Sequence, residues 1–326
     1  MSEAIDDVVL RLIGASAVTQ REIIQGLWSG YGEIVKLSLS DSPIASVVVK
    51  HVFLPAKAEH PRGWNTDLSQ ARKLRSYAVE MAWYQQWAQR CGSESYVAQC
   101  YAAQSHKDDY LIVMEDLDAS GYSARRSHLD NNHARLCLTW LANFHANFMG
   151  EAPEGLWPVG SYWHLATRPD EWQAMAESPL KRAATRIDEM LNNTHYQTFV
   201  HGDAKVANFC FSADSSRVAA VDFQYVGAGC GMKDVVYFLG SCLTEEECER
   251  WNEALLDDYF EALKQALDAR NKHVDWAELE QEWRALFAVA WADFYRFLLG
   301  WMPDHHKVNK YSERLTESVL ADIGSV

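Results

Sequence analysis

Apolar positions along the first third of the chain recur at short, strand-like intervals. Beyond about residue 120 they recur mostly every three to four residues. Glu33 to Ser40 carries Ile34, Val35, Leu37 and Leu39, and Ile44 to Leu54 carries Val47-Val48-Val49 and then Val52-Phe53-Leu54. With the mixed run Arg21 to Trp28 and the turn Ser29-Gly30-Tyr31-Gly32, this pattern predicts a β-hairpin followed by a third strand. A helix is predicted over Leu68 to Arg90, where Leu74, Tyr77, Ala78, Met81, Tyr84 and Trp87 share a helical period. Two strand candidates follow, Tyr96 to Gln104 and Tyr110 to Met114. The acidic tetrapeptide Glu115-Asp116-Leu117-Asp118 is then a natural boundary between two parts.

After that boundary the reading is mostly helical. Helices are predicted over Asn131 to Met149, Asp170 to Asn192, Trp276 to Trp301 and Ser312 to Asp322. Another long helix opens at Thr244, which stands three before Glu247 in capping-box spacing. Only Gln197 to Val200 and Val218 to Val221 read as short strands, and each runs into a polar cluster. The whole predicts an α+β chain in two lobes. Residues 1–115 form a small lobe with an antiparallel sheet plus one helix. Residues 116–326 form a large, mainly helical lobe.

Composition narrows the class. The chain has 326 residues, 48% of them hydrophobic, which is enough for a core without disulfides or structural metals. A formal charge of −15 argues against nucleic acid or an anionic membrane as the main partner. It fits a cationic substrate or plain solubility. The seven cysteines are odd in number and lack C-x-x-C spacing, which fits a reducing compartment and no zinc site. The acidic N-terminus resembles no signal or transit peptide, and no apolar run reaches membrane-span length. The expected location is the cytoplasm. Aromatic residues of Trp157 to Trp163, where exposed, would offer a homodimer interface.

The chemistry sits in His201-Gly202-Asp203-Ala204-Lys205-Val206-Ala207-Asn208, followed by Asp222-Phe223-Gln224. Phosphoryl transfer to a hydroxyl needs a carboxylate base, hard oxygen ligands for divalent metal, and a cation near the transferring group. Asp203 can serve as the base. Asn208 and Asp222 can supply metal oxygens, and Lys205 can reach the γ-phosphate. A hairpin between Asp203 and Asp222 would return the latter to the same cleft. Turn capping is the plain alternative for Asp203, Asn208 and Asp222, and a solvated loop lysine for Lys205.

The loop His201 to Asn208 resembles the H-G-D-x-x-x-x-N motif of the aminoglycoside phosphotransferase and choline kinase superfamily. Asp222-Phe223-Gln224 is similar to its D-F-x metal motif. Met114-Glu115-Asp116-Leu117 and Leu141-Ala142-Asn143-Phe144-His145 are most similar to the ecdysteroid-kinase-like branch. The resemblance covers nearly the whole chain. It implies a two-lobed protein-kinase-like fold, the cofactors ATP and Mg²⁺, and a small hydroxylated acceptor such as an amino alcohol, an aminoglycoside-like or a sterol-like compound. By the same resemblance Lys50 contacts the nucleotide phosphates, with Glu80 as its partner. Glu80 is the one acidic residue between Leu68 and Arg90. Ser29, Gly30, Tyr31 and Gly32 would cover the phosphates with backbone N–H groups, and Glu115 and Leu117 would hold adenine.

Four further signals stay open. Gly227-Ala228-Gly229-Cys230-Gly231 reads as a short flexible segment after the metal motif, too short for the peptide docking of protein kinases. Asp234 either braces the catalytic loop, as the resemblance implies, or simply caps a helix. His145 reads as a hydrogen-bonded core histidine. Trp291 and Asp293, on an aromatic helix, are either core or part of a pocket for a cationic acceptor. The rival functions are a catalytically silent nucleotide-binding protein and a Ser/Thr protein kinase.

Overall fold

The computed structural model describes residues 2–27, 30–53, 67–106 and 109–324. In chain order the elements begin α1 (Ser2–Ile13), β1 (Ala17–Gly26), β2 (Gly32–Ser40), β3 (Ser46–Val52), α2 (Asp67–Ala82), β4 (Tyr96–Val97), β5 (Cys100–His106) and β6 (Asp109–Glu115). They continue with α3 (Asn131–Asn147), α4 (Pro169–Ala174), α5 (Pro179–Asn192), β7 (Thr198–Val200), β8 (Phe209–Phe211), β9 (Val218–Ala220) and β10 (Gly227–Gly229). The chain closes with α6 (Met232–Cys242), α7 (Glu245–Ala269), α8 (Trp276–Trp301) and α9 (Lys310–Gly324). The chain is mixed α+β, as the hydrophobic pattern predicts. It divides into two compact units. One comprises Met1–Gly92, Tyr96–Ala124 and Cys210–Gln224, and the other Ser93–Ser95, Arg125–Phe209 and Tyr225–Val326.

The first unit is built on a five-stranded antiparallel sheet of order β1-β2-β3-β6-β5. Strand side chains alternate between faces, so Val35 and Leu37 of β2, Val47 and Val49 of β3 and Val113 of β6 form one buried layer. The helix α1 covers that layer with Val9, flanked by Ile5 and Ile13. This helix was not expected, although its apolar residues stand four apart. Arg21 of β1 ties it down by pairing with Asp6 at 2.6 Å and with Glu33 at 2.7 Å. The opposite face of β3 carries Lys50 and Val52. Val52 packs with Tyr31 and with Tyr77 of α2. Trp28, Leu54 and Ser29, assigned from sequence to strand ends and the turn, lie outside the described residues. The expected strand Tyr96 to Gln104 divides into β4, which pairs in parallel with β9, and β5.

The second unit is mainly helical. Several of its helices start where the sequence carries capping chemistry. Asp130 accepts from the His133 N–H at the head of α3, Asp275 from Glu278 at α8, and Thr244 with Glu247 forms a complete capping box at α7. Helix α3 packs on α7, and α8 packs on α4, α5, α6 and α9. The single helix expected over Asp170 to Asn192 is two. Met175 leaves helical geometry, and Ser178-Pro179 starts α5 as N-cap and first-turn proline.

The glycine-rich run after the metal motif also departs from expectation. Gly227 to Gly229 is not a flexible segment but a buried strand, β10, paired with β7 through Gly227↔Val200 and Gly229↔Thr198. Glycine is needed there for closeness: a Cβ on Gly227 would stand 2.2 Å from the Trp157 carbonyl oxygen. All seven cysteines are free, five of them buried. Among the described residues no helix is long and apolar enough to cross a membrane.

Candidate active site

In the first unit, alternation along β3 aims Lys50 at α2, where Glu80 stands one turn beyond the core residue Tyr77. The Lys50 ammonium meets Glu80 Oε2 at 2.6 Å and Asp222 Oδ1 at 3.6 Å. Lys50 and Glu80 are 3% and 2% exposed, so the pair is out of water. Burial opposes the Lys50 charge, but the carboxylates of Glu80 and Asp222 outweigh it and hold its pKa above the usual lysine value. Asp222 has a positive φ of 71°, a conformation that non-glycine residues adopt rarely. Its neighbours fix it. Gln224 Nε2 donates to Asp222 Oδ1 at 2.7 Å, and Lys73 and Ser76 of α2 donate to Gln224 Oε1. Phe223 stacks on Trp83 with centroids 4.5 Å apart.

The turn before β2 is tight. Gly30 has φ 72°, and its N–H donates to Leu27 O. Gly32 has φ 135°, and a Cβ there would lie 2.0 Å from the His51 carbonyl oxygen. The Tyr31 side chain is core. Glu115 donates its backbone N–H to Gln99 O and accepts on its carboxylate from the Tyr96 hydroxyl, while Leu117 O accepts from Tyr122 N–H.

In the second unit, β7 ends at Val200 and delivers the loop His201 to Asn208. Asp203 Oδ2 accepts from Lys205 Nζ at 2.8 Å and from Asn208 Nδ2 at 3.1 Å, and Asn208 Nδ2 also donates to Asp203 O at 2.7 Å. The Asn208 amide is thereby oriented: its nitrogen is spent on Asp203, leaving its oxygen as the end able to face a cation. Tyr237 is buried beside the Asp203 carboxylate and the Tyr162 ring. Burial, with these neighbours, raises the Tyr237 pKa well above the ordinary phenol value.

The backbone of the loop is clamped by Asp234. Its carboxylate accepts from His201 N–H at 2.5 Å and Gly202 N–H at 2.9 Å, and lies 3.1 Å from His145 Nε2. The N-cap of α6 is Gly231, with no side-chain cap bond, so Asp234 braces the loop rather than capping its own helix. His145 is wholly buried between Asp234 and the Tyr259 hydroxyl, a core histidine as expected. Gly202 has φ 78°, and a Cβ there would stand 2.1 Å from the Tyr225 carbonyl oxygen.

The two residues assigned from sequence to an acceptor pocket separate. Trp291 lines a cavity of about 240 Å³ and donates its indole N–H to Ser312 Oγ at 2.8 Å. Asp293 is 1% exposed and accepts from Arg296 at 2.8 and 3.0 Å and from Trp163 Nε1 at 3.1 Å. Its charge is spent inside the protein, so it offers no anion to a cationic acceptor. Sequence reasoning assigned no role to Tyr237, Gln224 or Lys73. Gln224 was legible as the third residue of the D-F-x motif, whereas Tyr237 gave no local signal.

The Asp–Asn loop of the second unit and the buried Lys–Glu pair of the first are each of a kind that phosphoryl transfer uses, and family comparison agrees. The chain belongs to the phosphotransferase enzyme family, whose sequence profile matches residues 66–273. No characterised protein matches it by overall sequence. Among solved structures, a microcompartment-associated aminopropanol kinase is similar over 97% of this chain and 94% of its own, at 12% identity and a TM-score of 0.51. An aminoglycoside-3'-phosphotransferase of type VIII matches over 86% of this chain and 97% of its own, at 15% identity and a TM-score of 0.44. A Plasmodium vivax ethanolamine kinase matches over 93% of this chain and 82% of its own, at 9% identity and a TM-score of 0.46. The fold is thus the protein-kinase-like one expected from the motifs, and the chain is a phosphotransferase.

Proposed function

We propose that this phosphotransferase moves the γ-phosphoryl group of ATP onto a hydroxyl of a small molecule in a Mg²⁺-dependent reaction. The observation that carries the reading is the set of groups around Asp203. A carboxylate held by Lys205 and Asn208, on a backbone clamped by Asp234, is preorganised to orient an acceptor hydroxyl and take its proton. The acceptor oxygen then bonds to the γ-phosphorus, the bond to the β–γ bridging oxygen breaks, and ADP leaves. Lys205 stands beside Asp203 to balance charge on the transferring group. Lys50, aimed by Glu80, grips the nucleotide phosphates.

The donor chemistry fits magnesium. Asn208 presents an amide oxygen and Asp222 a carboxylate, both hard oxygen ligands. Bound metal would screen the phosphate charges. Backbone groups of Gly30 to Gly32 and of Glu115 to Leu117 are the proposed nucleotide contacts. A short segment between Asp222 and α6, folded as a strand, supports a small acceptor over a peptide.

The test is a coupled ATP-consumption assay with Mg²⁺ across a panel of small alcohols. Acceptor-dependent ADP formation that vanishes with EDTA is expected. Metal-independent turnover, or phosphorylation of generic proteins in preference to any small alcohol, would contradict the reading.

A further inference from the structure

The cavity that Trp291 lines holds a lysine that the proposed reaction has not used. Its walls are largely apolar and aromatic, including Leu243, Trp291, Phe294 and Leu298, and Lys307 enters among them. The Lys307 ammonium lies 4.9 Å from the ring centroid of Tyr237 and 5.2 Å from that of Phe294. Tyr237 is also buried beside Asp203. The cation and the catalytic carboxylate therefore flank one tyrosine, and their charges interact.

Among the described residues, no carboxylate forms an ion pair with Lys307. Two carboxylates act near it without pairing, Asp203 and, in the cavity wall, Glu245, and the other groups that face it are uncharged or positive. Cys242 and Cys248 are thiols pushed up by burial, the latter to about 12, and both are neutral near pH 7. His305 is pulled down to about 4 by burial, and His306 is also lowered, so neither carries charge there. Lys205 adds positive charge but is paired with Asp203. Glu245 reaches the cavity wall, where its carboxylate accepts from the Tyr311 N–H. Burial pulls the Lys307 pKa down to about 8, as expected of an ammonium short of a counter-charge.

We propose that Lys307 selects an acceptor bearing an anionic oxygen group, a carboxylate or a phosphate, a few atoms from the hydroxyl offered to Asp203. This rests on the phosphotransferase reading of the Asp203 loop and names its substrate class. A half-buried ammonium attracts such a group and repels an ammonium. The preference is therefore opposite to the amino alcohols named for two of the structural neighbours. Aromatic walls hold the carbon skeleton, and the tyrosine between the two charges sets a short reach.

Two measurements test it. In the first, lysines are dimethylated with ¹³C-formaldehyde, and the Lys307 resonance, assigned by its loss in Lys307→Arg, is titrated by NMR. Adding 3-hydroxypropionate or glycerol 3-phosphate should raise its midpoint by about one pH unit or more, and ethanolamine should not. The anion that acts alone identifies carboxylate or phosphate as the source. No shift with either anion would overturn the proposal. This readout needs no turnover, so it stands apart from any failure of the phosphotransferase reading itself. In the second, the ATP-coupled assay compares the anionic alcohols with ethanolamine. Lys307→Met should lower kcat/KM for the anionic acceptor at least 30-fold and leave the KM for ATP unchanged. An unchanged kcat/KM in Lys307→Met, or a wild-type preference for ethanolamine, would refute the assignment.

Discussion

Replacing Glu80 by Gln isolates the buried ion pair of the first unit. The substitution keeps size and shape but removes the charge 2.6 Å from the Lys50 ammonium. Lys50 is 3% exposed, so water cannot replace the lost partner. Removing one member of a buried pair costs about 3–5 kcal/mol. Asp222 remains 3.6 Å away, which places the expected loss at the lower end, about 3 kcal/mol. The unfolding midpoint should fall by roughly 6–12 °C, at about 2–4 °C per kcal/mol for a chain of this order. The folded state holds the Lys50 proton more tightly than the unfolded chain does, so the lysine's part is complete below the ordinary lysine pKa of 10.5 and is lost above it. Burial raises the Glu80 pKa above its usual 4.5, so the difference between wild type and variant should shrink toward acid pH as Glu80 takes a proton. The double variant Lys50→Met/Glu80→Met removes both charges, so its loss should fall short of the sum of the single losses by about 2 kcal/mol or more. Thermal and urea unfolding measure all of this. A Glu80→Gln loss under about 0.5 kcal/mol, or strict additivity in the cycle, would refute the argument that Lys50 depends on Glu80.

Other outcomes follow from the second unit. Tyr237→Phe removes a hydroxyl buried beside the Asp203 carboxylate, so kcat should fall at least about 10-fold with the KM for ATP unchanged. Steady-state kinetics decide this, and an unchanged kcat would show that the hydroxyl is only structural. Gly202→Ala places a Cβ 2.1 Å from Tyr225 O at φ 78°. It should abolish turnover and destabilise the chain by about 2 kcal/mol or more, and a fully stable, active variant would be inconsistent with the loop geometry. For an anionic acceptor, kcat/KM should decline as pH rises past about 8, where Lys307 loses its proton. That decline should be absent in Lys307→Met, and a matching decline in the variant would assign it to another group.

The catalytic loop, the D-F-Q motif and the Lys50–Glu80 partnership were legible because each is set by local spacing. Alternation along the Val47-Val48-Val49 run aims Lys50, and Glu80 is the one acidic residue between Leu68 and Arg90. The capping box at Thr244 was legible for the same reason. The run Gly227 to Gly231 misled because glycines chosen for close packing against Trp157 look like glycines chosen for freedom. Helix α1 was overlooked because acidic residues dilute its apolar stripe of Ile5, Val9 and Ile13. Tyr237 and Lys307 come to notice only in the fold, the one buried beside Asp203, the other over the rings of Tyr237 and Phe294. Asp293 looked available in sequence, but Arg296, three residues on, occupies it.

The central claim is that Asp203 is the base for phosphoryl transfer to a small alcohol. It is tested most directly by following the label from [γ-³²P]ATP into an identified acceptor, with wild type and Asp203→Asn side by side. The variant keeps the side-chain shape and should unfold at a similar midpoint. Its transfer rate should drop by about 10²–10⁴-fold, the usual contribution of a positioned general base. Transfer within a few-fold of wild type, in a folded Asp203→Asn variant, would contradict the account.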